Sequence, residues 1–257
     1  MRVVSWNVNA RRDCAGQVAA LAAFEPDIVG FQEVTSGSDV GFAECLAAAG
    51  LPYYASGAEL ARRMRAPLIA KRYSAFASRY PFSVERVPGL PRPELAIAAR
   101  LQTPAGRVRV LNVHVPTWSN GREAKIETQE LVCEYLGGRR GPTVLMGDFN
   151  SPKDELEDGT VVAFTRPKDV RGRVAELALL SPSISSGRLR DAYRAANGWS
   201  TRDESWYWKN RGRTGGFRLD HIFASRHFRS LECWYAHDLR LAGMSDHSPV
   251  IAVLERR

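Results

Sequence analysis

Strand and helix signals alternate along the whole of this chain, and no linker separates one part of it from another. Apolar, β-branched segments such as Arg2–Asn7 are followed by Ala- and Leu-rich segments such as Cys14–Phe24. Alternation of this kind is typical of layered α/β proteins, in which helices cover the faces of sheets. The 257 residues, of which 44% are hydrophobic, can bury a sizeable core, and we expect a single domain over residues 1–257.

Further segments carry the same two signals. The predicted strands are Asp27–Gln32, Pro67–Ala70, Ser74–Ser78, Leu95–Leu101, Arg107–Val115, Thr143–Met146, Arg218–Ala224, Leu231–Ala236 and Val250–Leu254. The predicted helices run from the N-cap Ser38 to about Ala49, from Arg122 to Leu136 and from Arg188 to Ala196. Two charged segments that contain Gly or Pro, Ser151–Arg173 and Lys209–Gly216, predict surface loops.

The charge of the chain favours a polyanionic partner. The formal net charge is +8, and 31 of the 36 basic residues are Arg. A planar guanidinium can bind two phosphate oxygens at once, which suits contact with phosphate groups. A GC-rich genome would also enrich Arg, so the charge by itself leaves both explanations open.

The cysteines and the first residues indicate a cytoplasmic protein without a membrane anchor. No Cys-x-x-Cys pair is present, which argues against a zinc or redox site, and we expect reduced thiols at Cys14, Cys45, Cys133 and Cys233. The chain begins with a strand pattern rather than with a secretory signal. It also lacks the run of about 18 apolar residues that a membrane-spanning helix needs.

Polar side chains recur where the predicted strands end. They are Asn7, Glu33, His114, Asp148, Asn150, Asp220, His221, Asp246 and His247. Each alone has a structural explanation as a turn residue or a hydrogen-bonded histidine. Together, however, they supply hard oxygen ligands for Mg²⁺. They also supply a base and hydrogen-bond donors, which are the groups that phosphodiester hydrolysis requires.

Six motifs carry a resemblance to a known family. They are Ser5-Trp6-Asn7-Val8-Asn9, Asp27-Ile28-Val29-Gly30-Phe31-Gln32-Glu33, Asn112-Val113-His114, Gly147-Asp148-Phe149-Asn150, Arg218-Leu219-Asp220-His221 and Ser245-Asp246-His247-Ser248-Pro249-Val250. In this order, over nearly the whole chain, they resemble the endonuclease/exonuclease/phosphatase superfamily. Its members include exonuclease III, apurinic/apyrimidinic (AP) endonucleases, the pancreatic deoxyribonuclease family, sphingomyelinases and inositol-polyphosphate phosphatases.

The resemblance implies a fold and a metal site. The implied fold is an α/β two-sheet sandwich with helices on the outer faces and the site at one edge. Asn7 and Glu33 would bind a divalent cation, Mg²⁺ or Mn²⁺, and Asp246 would join them. The motifs leave the number of metal ions open.

The resemblance also implies catalytic roles. Asp148 would orient or deprotonate the attacking water, and Asn150 would hold this water or the phosphate. Asp220 would pair with His247, which would fix its tautomer and favour its charged form. His114 completes the predicted catalytic set, and the motifs do not decide which residue is the general base.

The basic chain and two local features favour nucleic acid, and DNA in particular, as the substrate. The segments Trp6–Arg12 and Trp206–Asp220 resemble the opening motif and the aromatic sugar pocket of the exonuclease III and AP endonuclease branch. The predicted substrate-binding residues are Asn9, Arg11, Arg122, Trp206, Trp208 and Phe217. Aromatic rings beside Arg suit stacking on a base or sugar. Trp206 and Trp208 would also fit as alternate residues of a half-buried strand.

Two alternatives remain at this stage. His114 stands where the exonuclease III branch usually has Tyr, and His is typical there of the deoxyribonuclease, sphingomyelinase and phosphatase branches. A phosphoesterase of a small molecule or a lipid headgroup is therefore the second hypothesis. A catalytically silent binding module is a third, which the presence of Glu33, Asp148 and His247 disfavours. We expect no obligate protein partner.

Overall fold

The computed structural model describes residues 1–66, 68–181 and 189–257, and within them strands and helices alternate. The strands are β1 (Arg2–Asn7), β2 (Ile28–Val34), β3 (Tyr53–Ser56), β4 (Tyr73–Ser78), β5 (Phe82–Glu85), β6 (Ala96–Thr103), β7 (Gly106–His114), β8 (Thr143–Asp148), β9 (Asp154–Glu155), β10 (Val161–Val162), β11 (Leu189–Asp191), β12 (Trp206–Asn210), β13 (Arg213–Phe217), β14 (Asp220–Ser225), β15 (Phe228–Tyr235) and β16 (Val250–Arg256). The helices are α1 (Cys14–Ala22), α2 (Asp39–Ala48), α3 (Gly57–Arg63), α4 (Arg122–Gly137), α5 (Val170–Leu180), α6 (Ala192–Asn197) and α7 (His237–Leu241).

Two six-stranded sheets form the sandwich that the resemblance implies. The first has the strand order β15-β16-β1-β2-β4-β3, and the second has the order β11-β14-β8-β7-β6-β5. Each sheet contains one parallel pair at its centre, β1 with β2 and β7 with β8, whereas the other neighbours are antiparallel. Two short ribbons, β9 with β10 and β12 with β13, lie outside the sheets.

Side chains alternate between the two faces of each central strand, as the period of two in a strand requires. In β1, Val3 belongs to the core cluster between the sheets, which also holds Met146 of β8. Val4 and Trp6 belong instead to the outer cluster with α1 and α2. A third cluster joins the second sheet to α4 and α5. Apolar side chains on both faces of both sheets therefore build the layered fold.

Asn112 of β7 makes a polar bridge between the two sheets. Its Nδ2 donates to the carbonyls of Phe31 and Ala75 in the first sheet, at 3.0 and 2.9 Å. Its Oδ1 accepts from Nε2 of Gln32 at 2.6 Å. Gly30 makes room for this contact, because a Cβ there would lie 2.7 Å from Oδ1 of Asn112. The bridge is fully buried and sets the spacing of the sheets near the edge that carries the site.

Most predicted elements are confirmed within one or two residues, and one helix is partly wrong. The predicted helix Arg188–Ala196 is a strand, β11, up to Asp191, and α6 begins only at Ala192. Pairing of β11 with β14 outweighs the helix propensity of this segment. Ser38 precedes α2 as expected, but its side chain does not cap the helix. Arg188 and Pro67, the first residues of two predicted elements, lie outside the described residues.

Both predicted surface loops contain regular structure. The segment Ser151–Arg173 holds the ribbon β9–β10 and the start of α5, and its Ser151 and Glu155 are buried. The segment Lys209–Gly216 is the tip and second strand of the β12–β13 ribbon. The predicted strand Pro67–Ala70 is irregular in its described part, 68–70.

All four cysteines are free thiols, and Cys14 and Cys233 are buried. In the described part of the chain, none of the helices has the length and apolar character needed to cross a membrane.

Candidate active site

Four predicted site residues lie on the inner faces of the two sheets, at one shared edge. Asn7 ends β1, His114 ends β7, Asp148 ends β8 and Asp220 begins β14. In β8 the alternation that turns Val144 and Met146 toward the other sheet also turns Asp148 inward. The registers set His114 and Asp220 opposite Asp148 on either side. The strand ends therefore bring these side chains into one cleft between the sheets.

Asp148 is the centre of this cleft. Its Oδ2 accepts from Nδ2 of Asn7 at 2.9 Å, so that the hydrogen bond crosses from one sheet to the other. The Nε2 atoms of His114 and His247 lie 3.6 and 3.9 Å from the same oxygen. Its Oδ1 accepts from the backbone N–H of Asn150 at 2.9 Å. A buried carboxylate with both oxygens oriented by donors can hold a water molecule or take its proton.

His247 joins Asp148 to a second buried carboxylate. Its Nδ1 lies 2.7 Å from Oδ2 of Asp220. Asp220 is held in turn by Ser205, whose Oγ accepts from the backbone N–H groups of Leu219 and Asp220 at 2.9 and 3.1 Å. The order Asp220–His247–Asp148 forms a line of charged groups along the floor of the cleft.

The charges around His247 keep its ring protonated. Burial alone disfavours the imidazolium, but Asp220, followed by Asp148 and Asp246, raises the pKa of His247 to about 10. Ligand atoms of Asp148, Asp220 and His247 all lie within 4.8 Å of one another, which is close enough for a metal ion. Without a metal this cluster holds a proton between two carboxylates, and a metal ion bound there would have to displace that proton.

The loop that carries His247 is tied to the end of β1. Nε1 of Trp6 donates to the carbonyl of His247 at 3.0 Å. Oγ of Ser245 donates to the carbonyl of Asn7 at 2.6 Å and accepts from the N–H of His247 at 3.2 Å. The first and last motifs of the chain therefore lie together, which fixes His247 beside Asn7.

A buried lysine of α4 donates hydrogen bonds to the turn that follows Asp148. Asn150 has a φ of 49°, and its Nδ2 donates to the carbonyl of Val115 at 2.8 Å. Nζ of Lys125, on α4, donates to the carbonyl of Asn150 at 2.7 Å and to Oγ of Ser151 at 3.0 Å. Burial lowers the pKa of Lys125 to about 8, against the opposing effect of Glu176 and Asp148. The lysine therefore carries part of the positive charge that faces Asp148.

Glu33 and Asn7 are the residues best suited to a divalent cation. Asn7 ends β1, and Glu33 is the last residue but one of the parallel neighbour β2, with Asn7 in register with Gln32. The Nδ2 atom of Asn7 donates to Asp148 and its Oδ1 accepts from the N–H of Asn9 at 3.0 Å, which leaves a second lone pair on Oδ1. The Glu33 carboxylate is paired with the guanidinium of Arg72. The Glu33 carboxylate thus already binds one cation, the guanidinium. Carboxylate and amide oxygens are the ligands that Mg²⁺ or Mn²⁺ prefers, so Glu33 and Asn7 fit such a metal.

An aromatic wall borders the cleft beside His247. Trp206 and Phe217 stack with their centroids 6.2 Å apart, and Phe164 packs edge-on against Phe217 at 5.0 Å. Nε1 of Trp206 donates to Oδ2 of the exposed Asp246 at 3.2 Å, and its ring lies 6.5 Å from that of His247. We call Phe164, Trp206 and Phe217 the aromatic wall. It offers a flat surface next to the polar cleft.

The remaining predicted substrate-binding residues are less closely connected to the cleft. Asn9 follows Asn7 in the loop after β1, and Arg11 is exposed in the same loop. Arg122 pairs with Asp169 at 2.7 Å and with Glu123. Trp208 packs over Gly215, where a Cβ would lie 2.7 Å from its ring. The described contacts of Arg122 and Trp208 therefore lie elsewhere.

Four residues of the site were missed by sequence reasoning. Lys125 lies within the predicted helix Arg122–Leu136, where nothing marks it as buried. Phe164 lies in the mixed-charge segment that predicted a surface loop, and its packing against Phe217 has no local sequence signal. Arg72 precedes β4 among other basic residues, so nothing in the sequence distinguishes it. Ser205 precedes β12 and acts on Asp220, which is 15 residues further along the chain. Of these residues, only Ser205 has a local signal, because it lies two residues after Asp203 in a polar stretch that is typical of a turn.

The model of the Endonuclease/Exonuclease/phosphatase family matches residues 4–247. A search of curated protein sequences found no match.

Solved structures with the same fold cover nearly the whole chain. The structure of an AP endonuclease from Archaeoglobus fulgidus is 20% identical with a TM-score of 0.72, and 99% of each chain is covered. The 3′ phosphatase NExo from Neisseria, bound to a product DNA hairpin, is 23% identical with a TM-score of 0.70 and the same 99% coverage of both chains. TDP2 from D. rerio, complexed with a single-strand DNA product, is 15% identical with a TM-score of 0.68, covering 99% of this chain and 98% of the other. At these identities the likeness shows the fold.

Proposed function

Since the chain belongs to the endonuclease/exonuclease/phosphatase family, we propose that it is a divalent-metal-dependent phosphodiesterase that hydrolyses nucleic acid. Enzymes of this family hydrolyse phosphoester bonds and depend on divalent metals. The finer proposal is a DNA nuclease with exonuclease III-like or AP endonuclease-like activity. The observation that carries it is the convergence of Asn7, His114 and His247 on one oxygen of Asp148, beside the aromatic wall.

The roles follow from the contacts of each side chain. Asn7 and Glu33, with the exposed Asp246 joining them, would hold Mg²⁺ or Mn²⁺. A bound metal would act as a Lewis acid that stabilises charge on the phosphoryl oxygens. Asp148 orients the attacking water or takes its proton, because its two oxygens are fixed by Asn7 and by the N–H of Asn150.

The histidines provide the donors. His247 is charged, since Asp220 and Asp148 raise its pKa to about 10, so its Nε2–H can donate to a phosphoryl oxygen on which charge develops. Asp220 keeps the proton on Nδ1 and fixes the orientation of the ring. His114 lies 3.6 Å from Asp148 and offers a second imidazole to the same phosphate. Asn150 would hold the water or the phosphate.

The aromatic wall and the charge of the chain support nucleic acid as the substrate. Trp206, Phe217 and Phe164 can stack on a base or an exposed sugar, and such stacking tolerates any sequence. The net charge of +8 favours a polyanion. Asn9 and Arg11 beside Asn7, with Arg122 and Trp208 further away, would contact the strand that leads to the cleft. NExo bound to a product DNA hairpin and TDP2 complexed with a single-strand DNA product share this fold, which supports the proposal.

A screen of substrates tests the proposal. The purified chain is incubated with abasic duplex, nicked duplex, single-stranded DNA, RNA and small phosphoesters, with Mg²⁺ or Mn²⁺ and with EDTA. We expect metal-dependent cleavage of at least one DNA substrate that EDTA abolishes. Intact DNA in every reaction would contradict the nuclease proposal, and activity that survives EDTA would contradict the metal requirement.

A phosphoesterase of a small molecule or a lipid headgroup is the second candidate. The feature in its favour is His114, which stands where the exonuclease III branch usually has Tyr and where His is typical of the deoxyribonuclease, sphingomyelinase and phosphatase branches. The salt dependence of activity distinguishes the two candidates. Binding to nucleic acid releases counterions, so the affinity falls steeply as the salt concentration rises. Cleavage of a small phosphoester that is insensitive to salt would favour the second candidate.

A further inference from the structure

The ion pair between Glu33 and Arg72 arises from a local irregularity of the first sheet. The pairing of β2 with β4 shifts register between Phe31 and Val34, so that Glu33 lies in a bulge with a φ of 63°. Arg72 directly precedes β4, whose first residue pairs with Val34. The bulge therefore brings the Glu33 carboxylate next to the Arg72 guanidinium, and the two side chains form an ion pair.

The two partners differ in their freedom to move. The Glu33 side chain is 17% exposed, whereas the Arg72 side chain is 51% exposed. Arg72 reaches the carboxylate from solvent, so its side chain can change rotamer without disturbing the core. Glu33 is mostly covered, so its side chain has less freedom to move. An ion pair of this kind can open while the fold is kept.

Arg72 also belongs to a basic segment of the chain. Residues 60–72 contain five basic residues and no acidic one, namely Arg62, Arg63, Arg65, Lys71 and Arg72. The side chains of all five are exposed. Several exposed basic side chains along a short segment, with no acidic side chain among them, attract a phosphate backbone. Arg72 is the member of this segment that touches a candidate metal ligand.

We propose that Arg72 couples metal binding to binding of the nucleic-acid backbone. In the metal-free protein it neutralises Glu33, and once a divalent cation takes this carboxylate the guanidinium is released and pairs with a backbone phosphate. The two cations compete for the same carboxylate oxygens, and a guanidinium binds phosphate with two hydrogen bonds. This inference rests on the proposed role of Glu33 as a metal ligand. By linkage, metal and nucleic acid then each strengthen binding of the other.

The first test measures metal affinity without nucleic acid. Mn²⁺ is titrated by calorimetry into the wild-type chain, Arg72→Gln and the control Lys71→Gln, which removes the same charge from the neighbouring exposed position. We expect Arg72→Gln to bind Mn²⁺ about fivefold more tightly than the wild type, because its competitor is gone, and Lys71→Gln to stay within about twofold. Matching thermal unfolding curves would show that both variants are folded.

Three results would overturn the coupling. Arg72→Gln with unchanged or weaker Mn²⁺ affinity would do so, and so would an equal gain in Lys71→Gln, since a general charge effect would then explain it. In both cases the metal site of the proposed function would still stand. A wild-type chain that binds no Mn²⁺ at millimolar concentration would refute the metal site and the coupling together.

The second test measures duplex binding by fluorescence anisotropy with a phosphorothioate-protected duplex. The salt dependence of the affinity is recorded with and without Mn²⁺. If Mn²⁺ releases Arg72 onto a phosphate, it should steepen the slope of log K against log salt by about one unit more in the wild type than in Arg72→Gln. Equal steepening in the two chains would contradict the proposal.

Discussion

Nδ1 of His247 lies 2.7 Å from Oδ2 of Asp220, and the other nitrogen of the same ring faces Asp148 at 3.9 Å. One imidazole therefore lies between two buried carboxylates that belong to neighbouring strands of the second sheet. This arrangement gives the ring a fixed orientation and a stable charge, and it directs one N–H toward the cleft. The chemistry we propose depends on that N–H.

Asp220→Asn should lower kcat by about 10² to 10⁴-fold with a smaller change in KM, because the ring would lose both its orientation and its charge partner. The charged ring is the active form, so wild-type activity should fall as the pH rises through about 10, the pKa of His247. Without the Asp220 charge this pKa decreases, and the alkaline limb of the pH–rate profile should move to lower pH. A limb that stays in place would contradict the role of Asp220.

Glu33→Gln should weaken binding of Mg²⁺ or Mn²⁺, because a neutral amide replaces a charged oxygen ligand. Calorimetric titration of the metal measures this directly. Glu44→Gln, at an exposed position of α2, is the matched control and should bind the metal as the wild type does. Equal affinity in Glu33→Gln and in the control would exclude Glu33 as a ligand.

Trp206→Ala should reduce the ratio of kcat/KM values between the preferred DNA substrate and the others by about tenfold, since one stacking surface beside the cleft is lost. Trp234→Ala is the control, because Trp234 lies on β15 and packs edge-on against Phe24 in the outer cluster of the first sheet. Relative kcat/KM values on abasic, nicked and intact duplex provide the measurement. A variant that loses only thermal stability, with its preference intact, would show that Trp206 serves the packing of the ribbon.

Glu155→Gln should lower the free energy of unfolding at pH 7 by about 3–5 kcal/mol, because it leaves the buried Arg194 and Arg218 without their shared carboxylate. Burial alone would raise the pKa of Glu155, but Arg218 and Arg194 lower it to about 2. Its contribution to stability is therefore complete above the unfolded value of 4.5 and is lost as the pH falls through about 2.

Urea unfolding at several pH values from 7 to 2 tests this pH dependence. The wild type should lose stability over the acid range, and Glu155→Gln should lose less over the same range. The exposed Glu157→Gln should follow the wild type. Parallel curves for Glu155→Gln and the wild type would contradict the assignment.

The strand-end residues could be predicted from the sequence because polar side chains that end or follow apolar segments are conspicuous. Asn7, His114 and Asp148 lie at the ends of strands, as the sequence indicates, whereas the face of the sheet on which they lie is known from the structure. The motif order added Asp220 and His247. These five residues do lie together, although their roles remain proposals.

The parts that could not be predicted depend on tertiary contacts. Glu155 and Phe164 lie in a segment that is rich in charge. Glu155 is buried and Phe164 is partly buried only because Arg218 and Phe217 meet them from distant parts of the chain. Helix propensity was similarly misleading at Leu189–Asp191, where pairing with β14 decides the structure. The Glu33–Arg72 contact depends on a bulge, which has no signature in this sequence.

The Asn112 bridge between the sheets has a consequence for how such an enzyme can be redesigned. It holds the strand ends of one sheet at a constant distance from those of the other, deep inside the protein and away from every loop. The groups at the strand ends are thus positioned by the interior, whereas the tip of the β12–β13 ribbon, residues 209–214, is exposed. Exchange of this tip should change which phosphoesters are bound while the spacing of the strand-end groups is kept, so it is the segment to graft or to randomise.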